Sequence, residues 1–283
     1  MSVKNIRIAI LGSGSMGTAI LDGLIASGIP AANINVSTLS KASAFKLKAK
    51  GVRYAFSVEQ AEEAGENANQ SAVDGADVLI VAVKPAYVLE TLSHLGSPNL
   101  KSDALIISVA AGITTEAMQH ELAGGNPVVR AMPNTPAIVG RAVTGIALGS
   151  RATEAHQKLA EELFATVGKT LTISEDRIDA LSTISGSGPA YVFFLIEQFI
   201  AAAKHQGFTD DEATLLVNET FLGATELLVA SGKDPAELRR QVTSPNGTTM
   251  QAIARMQEAN LDQMFIEATD AALARAREIA AGK

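Results

Sequence analysis

Short apolar runs, many of them β-branched, recur through the first half of the chain at Ile6 to Leu11, Ile34 to Thr38, Val78 to Val83, Leu105 to Val109, Val128 to Met132 and Thr144 to Leu148. Between them lie stretches with helical spacing that begin near Ser15, Lys41, Ala86 and Thr115. Strand and helix in alternation predict a parallel sheet covered by helices on both faces. Gly28, Gly51 and Gly96 stand where helix ends need a residue that tolerates positive φ. The acidic, Ala-rich stretch Glu59 to Asn69 reads as a surface helix or loop, and Thr153 to Thr166 as a helix leading to a strand-like Val167 to Ile173.

From Ile178 onward the period-two pattern disappears and helices are predicted over Ala190 to Gln206, Asp210 to Ala230, Pro235 to Val242, Thr249 to Glu258 and Leu261 to Ala280. Their caps are legible: Thr209 and Glu212 have capping-box spacing, and Asp234 precedes Pro235 at the first helical position. The polar pair Glu175-Asp176 marks the junction. The expectation is therefore an α/β Rossmann-like domain over 1–174, followed by an all-α domain over 175–283. Apolar helix faces left over in the second would favour an oligomer.

Composition narrows the chemistry. Of 283 residues, 47% are hydrophobic and 19% charged, while aromatics are 4%, so the interior is filled by Ala, Leu, Ile and Val. A net charge of −7 opposes extended contact with nucleic acid or an anionic membrane. The absence of Cys excludes disulfides, thiolate metal sites and cysteine nucleophiles, and fits a reducing cytoplasm. No metal-ligand spacing and no targeting segment is visible. Ala190 to Ala203 is interrupted by Glu197 and Gln198, falls short of the roughly 20 residues a bilayer requires, and reads as a buried helix.

Gly12-Ser13-Gly14-Ser15-Met16-Gly17 follows the first strand and opens a helix, the setting of a dinucleotide fingerprint. Gly12 serves the tight turn, Gly14 the approach of a pyrophosphate, and Gly17 the close packing of helix on sheet. About twenty residues on, an NAD site would place a carboxylate for the ribose. Here Ser37, Thr38, Leu39, Ser40 and Lys41 stand instead, which favours NADPH over NADH, although Lys41 also fits a solvated charge at a helix start. Ala82-Val83-Lys84-Pro85 brings a cation to the carboxyl edge of the sheet. Ala110-Ala111-Gly112 leaves the next strand with small side chains only, suited to a nicotinamide ring close to the backbone. Arg130 to Pro136 is a stiff loop that aims Asn134 and Thr135. Ser185 to Tyr191 starts a long helix with Pro189 at its first position. In Ser244-Pro245-Asn246-Gly247-Thr248-Thr249 a turn feeds a helix, so Gly247, Thr248 and Thr249 offer N–H groups and hydroxyls to a carboxylate; a ligand-free cap has the same pattern. None of the four His residues lies in a motif, so the His acid of a 2-hydroxy acid dehydrogenase is missing.

Taken together, GSGSMG at 12–17, AVKP at 82–85, SVAAG at 108–112, RAMPNTPA at 130–137, SGSGPAY at 185–191 and SPNGTT at 244–249 resemble the pyrroline-5-carboxylate reductase family over nearly the whole chain. The resemblance implies reduction of a small cyclic imine to proline by hydride from NADPH. It also implies a helical domain that pairs with a second copy as a homodimer, in some members a dimer-based decamer. By the same matching, Ser244 to Thr249 holds the substrate carboxylate and Thr249 approaches the ring nitrogen. Glu175 contacts the substrate site and Asn69 the NADPH ribose. Asn246 stands where the family usually has Gly, and Ser37 to Lys41 lacks the Asn-Arg often seen in bacterial members. A β-hydroxyacid dehydrogenase shares this architecture but needs a catalytic Lys that Ser185 to Tyr191 lacks. A dinucleotide-binding sensor without chemistry is a third reading.

Overall fold

The computed structural model describes residues 5–95 and 100–280, so the helix end expected at Gly96 lies outside the described residues. The six apolar runs and Val167 to Ile173 all contain strands, and an eighth strand joins them. In chain order these are β1 (Ile8–Leu11), β2 (Ile34–Thr38), β3 (Tyr54–Ser57), β4 (Val78–Val81), β5 (Leu105–Ser108), β6 (Val128–Met132), β7 (Ala142–Leu148) and β8 (Gly168–Thr172). They form one sheet ordered β3-β2-β1-β4-β5-β6-β7-β8. Strand β3, absent from the sequence expectation, lies at one edge of the sheet with Tyr54 exposed, so it has no continuous apolar run to betray it.

Neighbouring strands run parallel except β6 and β7, which pair antiparallel with Arg130 opposite Ala147. The parallel sheet expected from sequence forms, with this one antiparallel step added. The link between them is a short 3₁₀ turn, Thr135–Val139, closed by Gly140 at φ 68°. Such a link is too short for the crossover that a parallel return requires.

The first half also forms α1 (Ser15–Ala26), α2 (Lys41–Lys48), α3 (Val58–Ala64), α4 (Ala68–Val73), α5 (Val88–Ser93), α6 (Thr115–Glu121) and α7 (Glu154–Phe164). Alternation along β1 divides the core between the two faces. Ile8 and Ile10 pack into one cluster with Ile20 and Leu24 of α1, whereas Ala9 and Leu11 pack into another with Val73 and Leu92. Glu59 to Asn69 proves to be α3 and the start of α4.

The remaining helices are α8 (Ile178–Leu181), α9 (Gly188–His205), α10 (Asp210–Ser231), α11 (Pro235–Gln241), α12 (Thr248–Glu258) and α13 (Leu261–Ala280). One compact unit takes in the chain up to Ser187 and resumes at Leu273; the other is Gly188–Ala272. A π-helical turn, Ser182–Gly186, precedes α9 and supplies the Ser187 N–H with the Ser182 carbonyl at 2.8 Å, so the segment 185–191 is less open at its start than a simple helix N-terminus. The predicted caps form: Glu212 accepts from the Thr209 N–H at 2.9 Å, and Asp234 accepts from the N–H of Ala236 at 2.8 Å.

Within the second unit the helices bury almost nothing. Helices α9, α12 and α13 have no buried residue, and α10 has only Ala213 and Val217. The expectation that Ala190 to Ala203 is a buried helix is corrected: Phe193 is 65% exposed and Phe194 59%. A single copy supplies no layer to cover them. Helix α10, with mean hydropathy 1.3, is the one described helix long and apolar enough to cross a membrane.

Candidate active site

Strand order fixes where a ligand can sit. Helix connections leave β1 toward β2 on one side and reach β4 on the other, so the loops after β1 and β4 diverge and open a crevice at their carboxyl ends. A cleft of about 820 Å³ lies there, walled by Gly12, Ser13 and Gly14 after β1, by Ser37 and Thr38 of β2, by Ala82, Val83 and Lys84 after β4, and by Asn69 of α4.

Each fingerprint glycine has its own physical cause. Gly12 has φ 98°, and a Cβ there would come within 2.7 Å of the Ala82 carbonyl oxygen. At Gly17 a Cβ would overlap the Gly12 carbonyl oxygen. A Cβ on Gly14 would meet nothing within 4 Å, so no protein atom requires glycine at this residue of the cleft wall. Gly14 is also the N-cap of α1 and no side chain caps that helix, so Ser15, Met16 and Gly17 keep the donor capacity of the first turn. An uncapped helix start beside open space fits the pyrophosphate of a dinucleotide.

The far wall is a layer of hydroxyls. Ser37 Oγ donates to Asn69 Oδ1 at 2.6 Å, Ser13 and Thr38 share a hydrogen bond, and Asn67 Oδ1 accepts from the Asn69 N–H at 2.9 Å. Lys41 does not line the cleft: its Nζ lies 2.7 Å from both carboxylate oxygens of Glu63, and its N–H donates to Glu59 Oε2 at 3.0 Å. Pro85 opens a 3₁₀ turn just behind Lys84. Ala110 is buried and Ala111 exposed; beside them, a Cβ on Gly112 would touch Ile279 at 3.3 Å.

Glu175 is occupied within the first unit. Its Oε1 accepts from the Thr115 N–H at 2.7 Å and its Oε2 from the Thr115 hydroxyl at 2.6 Å, where it caps α6. Buried Arg130 donates to Asp179 Oδ1 at 2.7 Å and lies 3.9 Å from Glu175. Asn134 is likewise spent on structure: its Nδ2 donates to the Ser185 carbonyl at 2.8 Å and its Oδ1 accepts from the Val143 N–H at 2.9 Å.

In the second unit, Ser244 to Gly247 forms a turn closed by the Gly247 N–H on the Ser244 carbonyl at 3.1 Å. Asn246 takes φ 61°, the left-handed conformation that Asn tolerates best after Gly. Gly247 then caps α12 without a side-chain hydrogen bond, so Thr248 and Thr249 sit in a helical first turn whose donors no side chain claims. Among the described residues no group of three His, Asp or Glu side chains is gathered to hold a metal.

Residues 7–112 match a family model described as NADP oxidoreductase, coenzyme F420-dependent, and residues 175–279 match one described as pyrroline-5-carboxylate reductase dimerisation. A pyrroline-5-carboxylate reductase of Pseudomonas aeruginosa is 36% identical over 275 residues, which is 97% of each chain. The chain belongs to the pyrroline-5-carboxylate reductase family. A relative of that name from Methanosarcina acetivorans is 36% identical over 98% of this chain and 99% of its own. The solved structure of a pyrroline-5-carboxylate reductase from Coxiella burnetii aligns with a TM-score of 0.86 at 35% identity, covering 96% of this chain and 98% of that one. By contrast, a 3-hydroxyisobutyrate dehydrogenase of Mycobacterium tuberculosis reaches 0.51 at 16% identity and shares the fold alone.

In this member of the family the cleft has walls that sequence reasoning did not supply. Asn67, Tyr87, Thr91 and His94 all line it, beside Leu39, which the sequence had placed near the ribose. They come from the end of β2, from the N-cap of α4 and from α5 with the turn before it. The only available signal was the polar cluster Glu66 to Gln70, where Asn67 caps a helix.

Proposed function

We propose that this chain reduces 1-pyrroline-5-carboxylate to L-proline with NADPH as donor and NADH as an alternative, the last step of proline biosynthesis. The observation that carries the reading is the match to reductases of that name along 97% of the chain. The cleft supports it, because Ser13, Gly14, Ser15, Met16 and Gly17 offer main-chain donors to a pyrophosphate, while Gly12, whose N–H is held by the Ser37 carbonyl at 3.0 Å, makes the turn; Ser37 and Asn69 offer polar groups to a ribose. Ala82, Val83, Lys84 and Pro85, with Ala110 and Ala111, form the edge assigned to the nicotinamide half. Lys41 is assigned to the adenosine end. The bound dinucleotide supplies a hydride to the carbon of the C=N bond.

Thr248 and Thr249 take the substrate carboxylate on main-chain donors and hydroxyls, with the Ser244 hydroxyl beside them and Gly247 shaping the turn, which removes the need for an Arg. A protonated imine is already electrophilic, so orientation and a hydrogen bond at nitrogen suffice. The Thr249 hydroxyl holds that nitrogen, and as the hydride adds to carbon the nitrogen keeps its proton and becomes the amine of proline. Glu175 acts by fixing Thr115 and the loop before it. The exposed apolar helices support a homodimer, or a decamer built from such dimers, and the expected location is the cytoplasm.

The test is NADPH oxidation in the presence of 1-pyrroline-5-carboxylate. Wild-type protein turns over, and Thr249→Val lowers kcat/KM about ten- to a hundredfold, the range for losing a hydrogen bond to a charged group. No turnover by the wild type would overturn the activity, and an unchanged variant would overturn the role of Thr249.

A further inference from the structure

Three carboxylates of α3, at Glu59, Glu62 and Glu63, follow one another near the carboxyl end of β2, and Glu62 lines the cleft itself. In a sheet of this order the adenosine ribose sits at that strand end, so a 2′-phosphate meets the residues that follow Thr38. The donors available there are few: the Lys41 ammonium, the N–H groups that start α2, and the hydroxyls of Ser40 and Ser43. Nearly all are already engaged. Ser40 Oγ accepts from the Ser43 N–H at 3.2 Å and donates to the Ser43 hydroxyl at 3.0 Å. Glu59 Oε2 accepts from the Lys41 N–H at 3.0 Å, and Glu63 binds the Lys41 ammonium with both oxygens at 2.7 Å. The chain's own carboxylates thus stand on the donors that a phosphate would use.

We propose that Glu59 and Glu63 determine how strongly this cleft prefers a 2′-phosphorylated dinucleotide, by competing with that phosphate for Lys41 and for the start of α2. The inference rests on the reading of the cleft as a dinucleotide site. The Lys41–Glu63 pair is exposed, with side chains 47% and 67% accessible, and exposed pairs are weak. A phosphate carrying nearly two charges can displace Glu63, but the displacement subtracts from its affinity, and Glu59 repels it across the same few ångströms. NADH carries no 2′-phosphate and leaves both pairs undisturbed. NADPH preference in this chain is therefore held below what Lys41 alone would give, and the two carboxylates are its specificity determinants.

The experiment is direct binding of NADPH and of NADH to the full-length chain without imine, followed by the fluorescence of the reduced nicotinamide. Wild type, Glu59→Gln, Glu63→Gln, the double variant and Lys41→Gln are compared. Gln at 59 keeps an oxygen that can accept the Lys41 N–H, so α2 stays capped, and Glu63 is exposed, so each variant is expected to fold. The ratio Kd(NADH)/Kd(NADPH) should rise about two- to fivefold for each single change, rise further in the double variant, and fall in Lys41→Gln. The gain should shrink at high salt. A ratio unchanged in the double variant, with both dinucleotides bound, would overturn this inference and leave the cleft reading intact. Failure of the wild type to bind either dinucleotide would overturn both.

Discussion

An alanine methyl at Gly14 would meet nothing within 4 Å, whereas the same methyl at Gly17 would run into the Gly12 carbonyl oxygen. The two positions lie in one fingerprint, yet the fold demands glycine only at the second, and the role proposed for the first is toward a ligand. Gly17→Ala is expected to lower unfolding stability by about 1–3 kcal/mol, the range for overpacking a close contact, as read by urea denaturation. Gly14→Val should leave the unfolding midpoint near wild type while weakening NADPH binding about tenfold or more. The reverse pattern would contradict the assignment of the cleft mouth. Gly12 and Gly17 were legible because nearby main-chain oxygens leave no room for a side chain. Asn246 was legible because Asn tolerates the left-handed conformation best after Gly, and its φ of 61° follows the substitution of Asn for the usual Gly. Tyr87 and His94 were not legible, since a side chain that reaches a cleft from the outside of a helix or turn leaves no periodic trace.

The central strands were readable through their burial. Strands β1, β2, β4, β5 and β6 are covered on both faces and appear as apolar runs, while half-exposed β3 does not. The direction of β7 was hidden because it depends on the length of a link, not on the strand's own residues. At the amino-terminal end of β1 and β4, the Arg7 N–H donates to Asp77 at 2.8 Å and Lys101 Nζ lies 2.6 Å away. Partial burial pushes the Asp77 carboxyl up, but the Arg7 N–H and the Lys101 ammonium outweigh it and hold the group below its ordinary value of 3.8. The folded chain therefore binds this proton less readily than the unfolded one, and the associated stability is present above the ordinary value and lost as pH falls through the lower folded value. Asp77→Asn should be less stable than wild type at neutral pH, and the difference should narrow as pH falls below about 4. Parallel unfolding curves for the two proteins across that window would contradict the assignment.

On the scale of the molecule, the composition of the second unit fits the dimerisation model that matches residues 175–279. Helices α9, α12 and α13 bury no residue, although Phe193, Phe194, Phe265 and Ile266 lie on them. An exposed apolar surface of this kind marks a site of protein–protein contact. Light scattering after gel filtration should give at least twice the 29.4 kDa mass of one chain, and Phe193→Asp with Phe265→Asp should lower that mass or leave the protein insoluble. A soluble wild-type monomer would contradict the role given to these helices. The number of helices and their caps were legible in the sequence; their exposure was not, because apolar periodicity reports that a face is covered and not by which chain.

The central claim is that the cleft after β1 and β4 and the turn at Ser244 to Thr249 serve one hydride transfer to a C=N bond. It is tested most directly by supplying NADPH that carries deuterium on the transferring face of its nicotinamide, together with 1-pyrroline-5-carboxylate, and analysing the product by mass spectrometry. The account predicts proline with one deuterium on the former imine carbon, formed only in the presence of the protein. Oxidation of the cofactor without labelled proline, or proline without the label, would contradict it.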